Sequence, residues 1–174
     1  MFMGSENVVS PLGQNIDLNF ANAMAGKTGL KRLTNPYPKI DMLTASVLQD
    51  FELEANPKIF TMLKMVINGS LKNINPSGFA DRWLVVLSTT KGEIDHLKNG
   101  NFEKARPFHL LQKVQDTLPF QSFGRVISNA CVSGLAATIY ASDQIRNNYF
   151  DHALVVGADI VSEFTSRGFT SFYA

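Results

Sequence analysis

Two apolar runs constrain this chain more than anything else in it. Trp83-Leu84-Val85-Val86-Leu87 and His152-Ala153-Leu154-Val155-Val156-Gly157 are of strand length, and they are apolar at consecutive rather than alternate positions. That pattern belongs to strands covered on both faces, which is the situation of a parallel sheet lying between helices. Helical patterns stand around the runs. Ile59, Leu63, Val66, Ile67, Leu71 and Ile74 define an amphipathic helix that Asn75-Pro76 ends. His109 to Asp116 reads as a further helix, and Val132 to about Asn147 as one with Ala and Gly on its packing side. Arg125 to Ser128 reads as a brief strand between these last two. Strands alternating with helices predict an α/β fold with a mixed, mostly parallel sheet covered by helices.

The remaining segments are less regular. Val8-Val9 reads as the end of a short buried strand, closed by the turn residues Ser10-Pro11 and Gly13. Ile16, Phe20, Ala23 and Met24 share one face of a helix that stops at Gly26. From Lys27 to Pro57 the chain reads as irregular, with Pro36, Pro38 and Pro57 as breakers, and Lys91 to Lys98 as a short helix or turn. Phe60, Phe79, Trp83, Phe102, Phe108, Phe120 and Phe123 fall among apolar neighbours and are expected to pack in the core. No linker, repeat or low-complexity segment interrupts the sequence, so residues 1–174 read as one unit.

Bulk properties exclude several functions. A net charge of +1 gives no footprint for nucleic acid or an anionic membrane. No apolar run approaches the roughly 20 residues needed to cross a bilayer. One cysteine allows no intrachain disulfide, and with no secretory pattern at the N-terminus the expected compartment is the cytoplasm. The three histidines have no metal-ligand spacing with Cys or carboxylates, so neither a metal nor a cofactor is expected. His96 and His109 read as surface residues, and His152 as a structural or edge residue. Lys98, Lys104 and Arg106 form a modest basic cluster that reads as a solvated face.

The chemistry centres on Cys131. The β-branched pair Val126-Ile127 delivers the chain to a sharp turn, Asn129-Ala130-Cys131, and a helix starts with Val132-Ser133-Gly134. A helix N-terminus carries backbone N–H groups without intrahelical partners and about half a positive charge. A thiolate there is stabilised, and the same N–H groups can hold the oxyanion formed when a thioester carbonyl is attacked. Gly134 and the neighbouring alanines leave room for a second backbone or a long acyl chain.

The run Asn129-Ala130-Cys131-Val132-Ser133-Gly134, then Ile145-Arg146, Asp151, Val155-Val156-Gly157-Ala158-Asp159 and Arg167-Gly168-Phe169 resembles the β-ketoacyl-acyl carrier protein synthases of the thiolase superfamily. Val9-Ser10-Pro11-Leu12-Gly13 and Ala25-Gly26-Lys27-Thr28-Gly29 are similar to that family's opening. The resemblance is carried by residues 124–174 and 8–30, in the right order. It implies a thiolase-like N-terminal half, with the second α/β half and its decarboxylating histidines lying outside this chain. Cys131 would be the nucleophile that takes an acyl group from acyl carrier protein, and its N–H would contribute to the oxyanion hole. Condensation with malonyl-carrier protein, in fatty acid or polyketide synthesis, would follow in the two-half enzyme. Ser128 and Asn129 would lie on the strand that pairs across a homodimer, and Asp159 stands where the family more often has Glu. An exposed Ala/Gly-rich helix face would favour self-association. Two other readings stand beside this one. A non-catalytic or chain-length subunit of the same fold is disfavoured by the retained cysteine. An unrelated cysteine hydrolase would need a His and an Asn or Asp folded next to Cys131.

Overall fold

A computed structural model describes residues 3–48, 58–72, 74 and 82–172. At its centre lies a strand, β3 (Trp83–Ser88), with β4 (Ser122–Ile127) parallel on one side and β5 (His152–Gly157) parallel on the other. All six residues of β3 are buried, because this strand has a neighbour at each edge and helices on each face. The β3-to-β4 connection carries α3 (Phe102–Ala105) and α4 (Pro107–Gln115), and the β4-to-β5 connection carries α5 (Ser133–Arg146). Side-chain alternation along β3 sorts the core into two layers. Val85 and Leu87 face one way, against Leu110, Leu111 and Val114 of α4 and Ile59, Leu63 and Ile67 of α2 (Lys58–Leu71). Leu84 and Val86 face the other way, against Ala137 and Ala141 of α5. The expected α/β layering is present.

Several local expectations are overturned. Residues read as irregular form an antiparallel hairpin, β1 (Leu30–Tyr37) and β2 (Ile40–Ser46). Pro36 and Pro38 sit at its tip, beside a register shift and the left-handed Asn35 and Lys39, where they remove no ladder bond along the body of the ribbon. Pro57 lies outside the described residues, as do Asn75-Pro76 and Phe79. Val8-Val9 is not a strand: Val8 is exposed, and its carbonyl accepts from the Asn19 side chain (3.1 Å) instead of a ladder partner. The first helix, α1 (Ile16–Met24), is capped by Asn15 and ends before Gly26 as expected. Its apolar face is not buried, however, for Ile16, Phe20 and Met24 all face solvent. Phe60 packs against the core and Trp83 lies within it, but Phe102, Phe108 and Phe123 are exposed, so proximity to apolar residues in sequence misplaced them. The Lys91–Lys98 region folds as a 3₁₀ segment, Ile94–Asn99. A last helix, α6 (Glu163–Ser171), was not expected. Its sequence is largely polar, and it is set by the Ser162 cap, which accepts from the Thr165 N–H (3.2 Å).

Candidate functional site

In this parallel sheet the three strands end on the same side, with Ser88, Ile127 and Gly157 in register. The chain leaves β3 for β4 on one side and then crosses to β5 on the other, so the direction of connection reverses around β3. Crevices outside the carboxyl ends of strands at such a reversal are where α/β sheets bind ligands. Cys131 lies there. Ala130-Cys131-Val132 forms one 3₁₀ turn between the end of β4 and the start of α5, and Cys131 is exposed.

The turn is held by Ser133. The Asn129 N–H donates to Ser133 Oγ (2.7 Å), and Ser133 Oγ donates to the Ala130 carbonyl (2.7 Å). The Val132 N–H closes the turn on the Asn129 carbonyl (3.1 Å). Ser133 is buried, so its hydroxyl has no competition from bulk water. Ala130 is forced to φ +44°, a left-handed conformation that costs a non-glycine residue on the order of 1 kcal/mol or more. Strain of this kind persists only where surrounding bonds over-determine the backbone, and here it sits immediately before the cysteine. The 14 residues of α5 follow without a break, so Cys131 lies just before the N-terminus of a helix.

Around this turn the sequence expectations separate. Cys131 occupies the strand-to-helix turn anticipated for it. Ser128 and Asn129 follow β4 rather than lie on it, because the chain has already turned away at Ile127. Ser133 as the lock and Ala130 as the strained residue were missed. A serine four residues after Asn129 is a local signal for such a turn, whereas nothing in an alanine announces a positive φ.

The histidines are elsewhere. His96 and His109 are not plain surface residues: they approach Glu93, whose side chain is 1% exposed. A carboxylate so deeply placed needs charged partners. Lys113 Nζ supplies one at 2.8 Å, and His109 Nδ1 lies 3.5 Å and His96 Nε2 4.0 Å away. Lys113 also lies 4.4 Å from the centroid of the Phe60 ring. This cluster ties the 3₁₀ segment to α4. His152 stands at the amino end of β5, opposite the Cys131 turn, and stacks on Trp83 (4.6 Å), which stacks in turn on Phe120 (4.0 Å). His152 is therefore out of reach as a base for Cys131, which weakens the hydrolase reading. The basic cluster is divided among carboxylates: Lys98 meets Glu163 (3.0 Å) and Arg106 meets Glu103 (3.0 Å). Hydrogen bonds from Lys98 and Arg167 hold the Glu163 carboxyl below the usual carboxylate range.

Among the described residues no group of three or more His, Cys, Asp or Glu is placed to hold a metal ion, and no helix is long and apolar enough to cross a membrane. A groove of about 320 Å³ lies between Val8-Val9, Met62 and Val66 of α2, and the end of β5 at Val155 to Asp159.

No family model matches the sequence, and no curated protein matches it. Among solved structures the chain is similar to one described as the ishigamide ketosynthase/chain length factor, with a TM-score of 0.66 and 21% identity. The match covers 95% of this chain and 49% of that one, so the chain spans about half the length of that protein. At this identity the likeness establishes the fold alone, a thiolase-like α/β fold.

Proposed function

We propose that this chain is the N-terminal, nucleophile-bearing part of a 3-oxoacyl-carrier protein synthase, and that Cys131 accepts the acyl group. The observation that carries the reading is an exposed cysteine on a strained, serine-locked turn, between a parallel strand and the N-terminus of a helix. In the first step the Cys131 thiolate attacks the carbonyl carbon of an acyl thioester. The bond to the carrier's sulfur breaks, and the released thiolate takes up a proton. The Cys131 backbone N–H contributes to stabilising the negative oxygen of the tetrahedral intermediate. In the second step malonyl-carrier protein loses carbon dioxide, and the resulting enolate carbon attacks the acyl carbonyl and returns the cysteine thiolate. That step belongs to the two-half enzyme, whose decarboxylating residues stand outside this chain. Acyl carrier protein is the partner this chemistry requires, in fatty acid or polyketide synthesis, and a homodimer is the assembly.

The solved structure named above pairs a ketosynthase with a chain length factor, which favours one alternative. In it the chain is part of a thiolase-like subunit that sets chain length without condensing. The two readings divide on the cysteine. Incubation with an octanoyl thioester of N-acetylcysteamine, followed by intact-mass measurement, is expected to give one octanoyl adduct that is lost in Cys131→Ala. An adduct that persists in Cys131→Ala removes Cys131 as the acceptor. Its absence from the parent chain favours the non-catalytic subunit.

A further inference from the structure

We infer that Asp159 is a positioning residue for Cys131, an inference that rests on the acyl-acceptor reading above. Asp159 follows β5 by two residues, yet its hydrogen bonds go to the segment that leaves β3. Its carboxylate accepts from the Thr90 N–H (3.2 Å), Thr89 Oγ1 (3.1 Å), Thr90 Oγ1 (3.0 Å) and Lys91 Nζ (2.9 Å). The Lys91 side chain is 14% exposed and that of Asp159 36%, so the pair is sheltered on the lysine side. Charge-assisted bonds that converge on one carboxylate from a backbone N–H, two hydroxyls and an ammonium fix its orientation in a way one lysine alone does not.

What the carboxylate fixes is the end of β3. Thr89 is fully buried, and it accepts from the Gly92 N–H through Oγ1 (3.1 Å). Its own N–H reaches the carbonyl of Ile127, the last residue of β4 (3.4 Å). On the other side the Ala158 N–H donates to the Ser88 carbonyl (3.2 Å). The carboxyl ends of all three strands are thus sewn together at Ser88-Thr89, with Asp159 as the outer stitch.

Cys131 springs from that seam. Two residues after Ile127 comes Asn129, whose N–H is bonded by the Ser133 lock. Ser88 Oγ stands 4.0 Å from the place a Cβ would occupy on Gly134, so the braced strand end also abuts the first turn of α5. Loss of the carboxylate loosens the base from which the strained Ala130 turn is held, and displacement of a reacting group by a fraction of an ångström is expensive in rate.

Asp159→Asn keeps the shape but replaces one acceptor oxygen with an NH2 that faces the same donors. It is expected to lower the maximal rate of Cys131 octanoylation about tenfold. The half-saturating thioester concentration and the thermal midpoint should stay near those of the parent. Asp159→Glu, which keeps the charge and both oxygens, should recover most of the rate. Lys91→Met leaves the threonine donors in place and should give a smaller loss in a folded chain. The inference is overturned if Asp159→Asn octanoylates at the parent's rate, or if its loss matches its unfolded fraction while Lys91→Met is unaffected. Should the parent itself take up no octanoyl group, the acceptor reading fails separately. The clamp is then judged by amide hydrogen exchange, in which an Asn129 N–H as protected in Asp159→Asn as in the parent overturns it.

Discussion

The two faces of the parallel sheet are built to different plans. On the α2 and α4 face, large branched side chains interlock: Leu63, Leu110, Leu111, Val114, Val85 and Leu87 are all completely buried. On the other face α5 lies on the sheet through Ala137 and Ala141, and small residues let the helix approach closely. Tyr140 packs against this layer, while two other large residues point outward, Leu135 63% and Ile139 53% exposed. A helix that is apolar on both its inner and its outer side is one meant to be covered twice. One face is therefore finished within this chain, while the other, which carries Cys131 at its start, presents an apolar surface for a further layer. Stability is concentrated on the first face and the chemistry on the second.

The largest effect should come from breaking the finished face. Leu111→Ala removes a fully buried side chain among rigid neighbours and should cost about 2–5 kcal/mol, read as a lowered urea midpoint with little change in slope. Leu135→Gln combined with Ile139→Gln touches the unfinished face. Each should change folding stability by no more than about 0.5 kcal/mol, yet together they should shift the chain from self-associated to monomeric in sedimentation at micromolar concentration. If the double variant unfolds as readily as Leu111→Ala, the two faces do not differ as described. If the parent already sediments as a monomer, a second copy is not what covers α5, and the homodimer proposal fails.

How much of this was legible beforehand follows the same division. The run Trp83–Leu87 announced a covered parallel strand and is buried throughout, whereas His152–Gly157, read as a second buried strand, lies at the sheet edge with only Val156 buried and Val155 exposed. The helices at Ile59–Leu71 and after Cys131 were legible because packing imposes a period on their sequences. The hairpin from Leu30 to Ser46 was not: most of it is exposed, so its residues answer to solvent rather than to a core, and its prolines look like breakers until the turn between them is seen. Phe102, Phe108 and Phe123 misled for the opposite reason, since an aromatic residue says nothing of which side of the sheet or helix it will take. At the site, Cys131 and its helix could be read, but the bonds that hold them could not. Glu93 gathers His96, His109 and Lys113 across as many as 20 residues of sequence, and Asp159 reaches Thr89 across 70. Such long-range charge pairing leaves no local pattern.

The smallest expected effect concerns the two ends of the sheet rather than its faces. At the amino end, opposite Cys131, Asp151 accepts from the Arg82 N–H (2.9 Å) and from its guanidinium (2.8 and 3.1 Å), tying the start of β5 to the residue before β3. These bonds lower the Asp151 pKa to about 2 from the ordinary 3.8. The folded state thus holds its proton less tightly than the unfolded chain does. The contribution to stability is complete above about pH 4 and is lost as pH falls toward 2. Both partners are well exposed, so solvent and salt screen the pair and the effect is small. Asp151→Asn should lower the urea midpoint slightly at pH 7, with the gap from the parent closing between pH 4 and pH 2, while leaving Cys131 octanoylation unchanged. A gap that stays constant over that range would mean the ion pair contributes nothing beyond its shape. A loss of octanoylation would mean that the amino end is coupled to the nucleophile turn, and the separation of a bracing end from a reacting end would have to be given up.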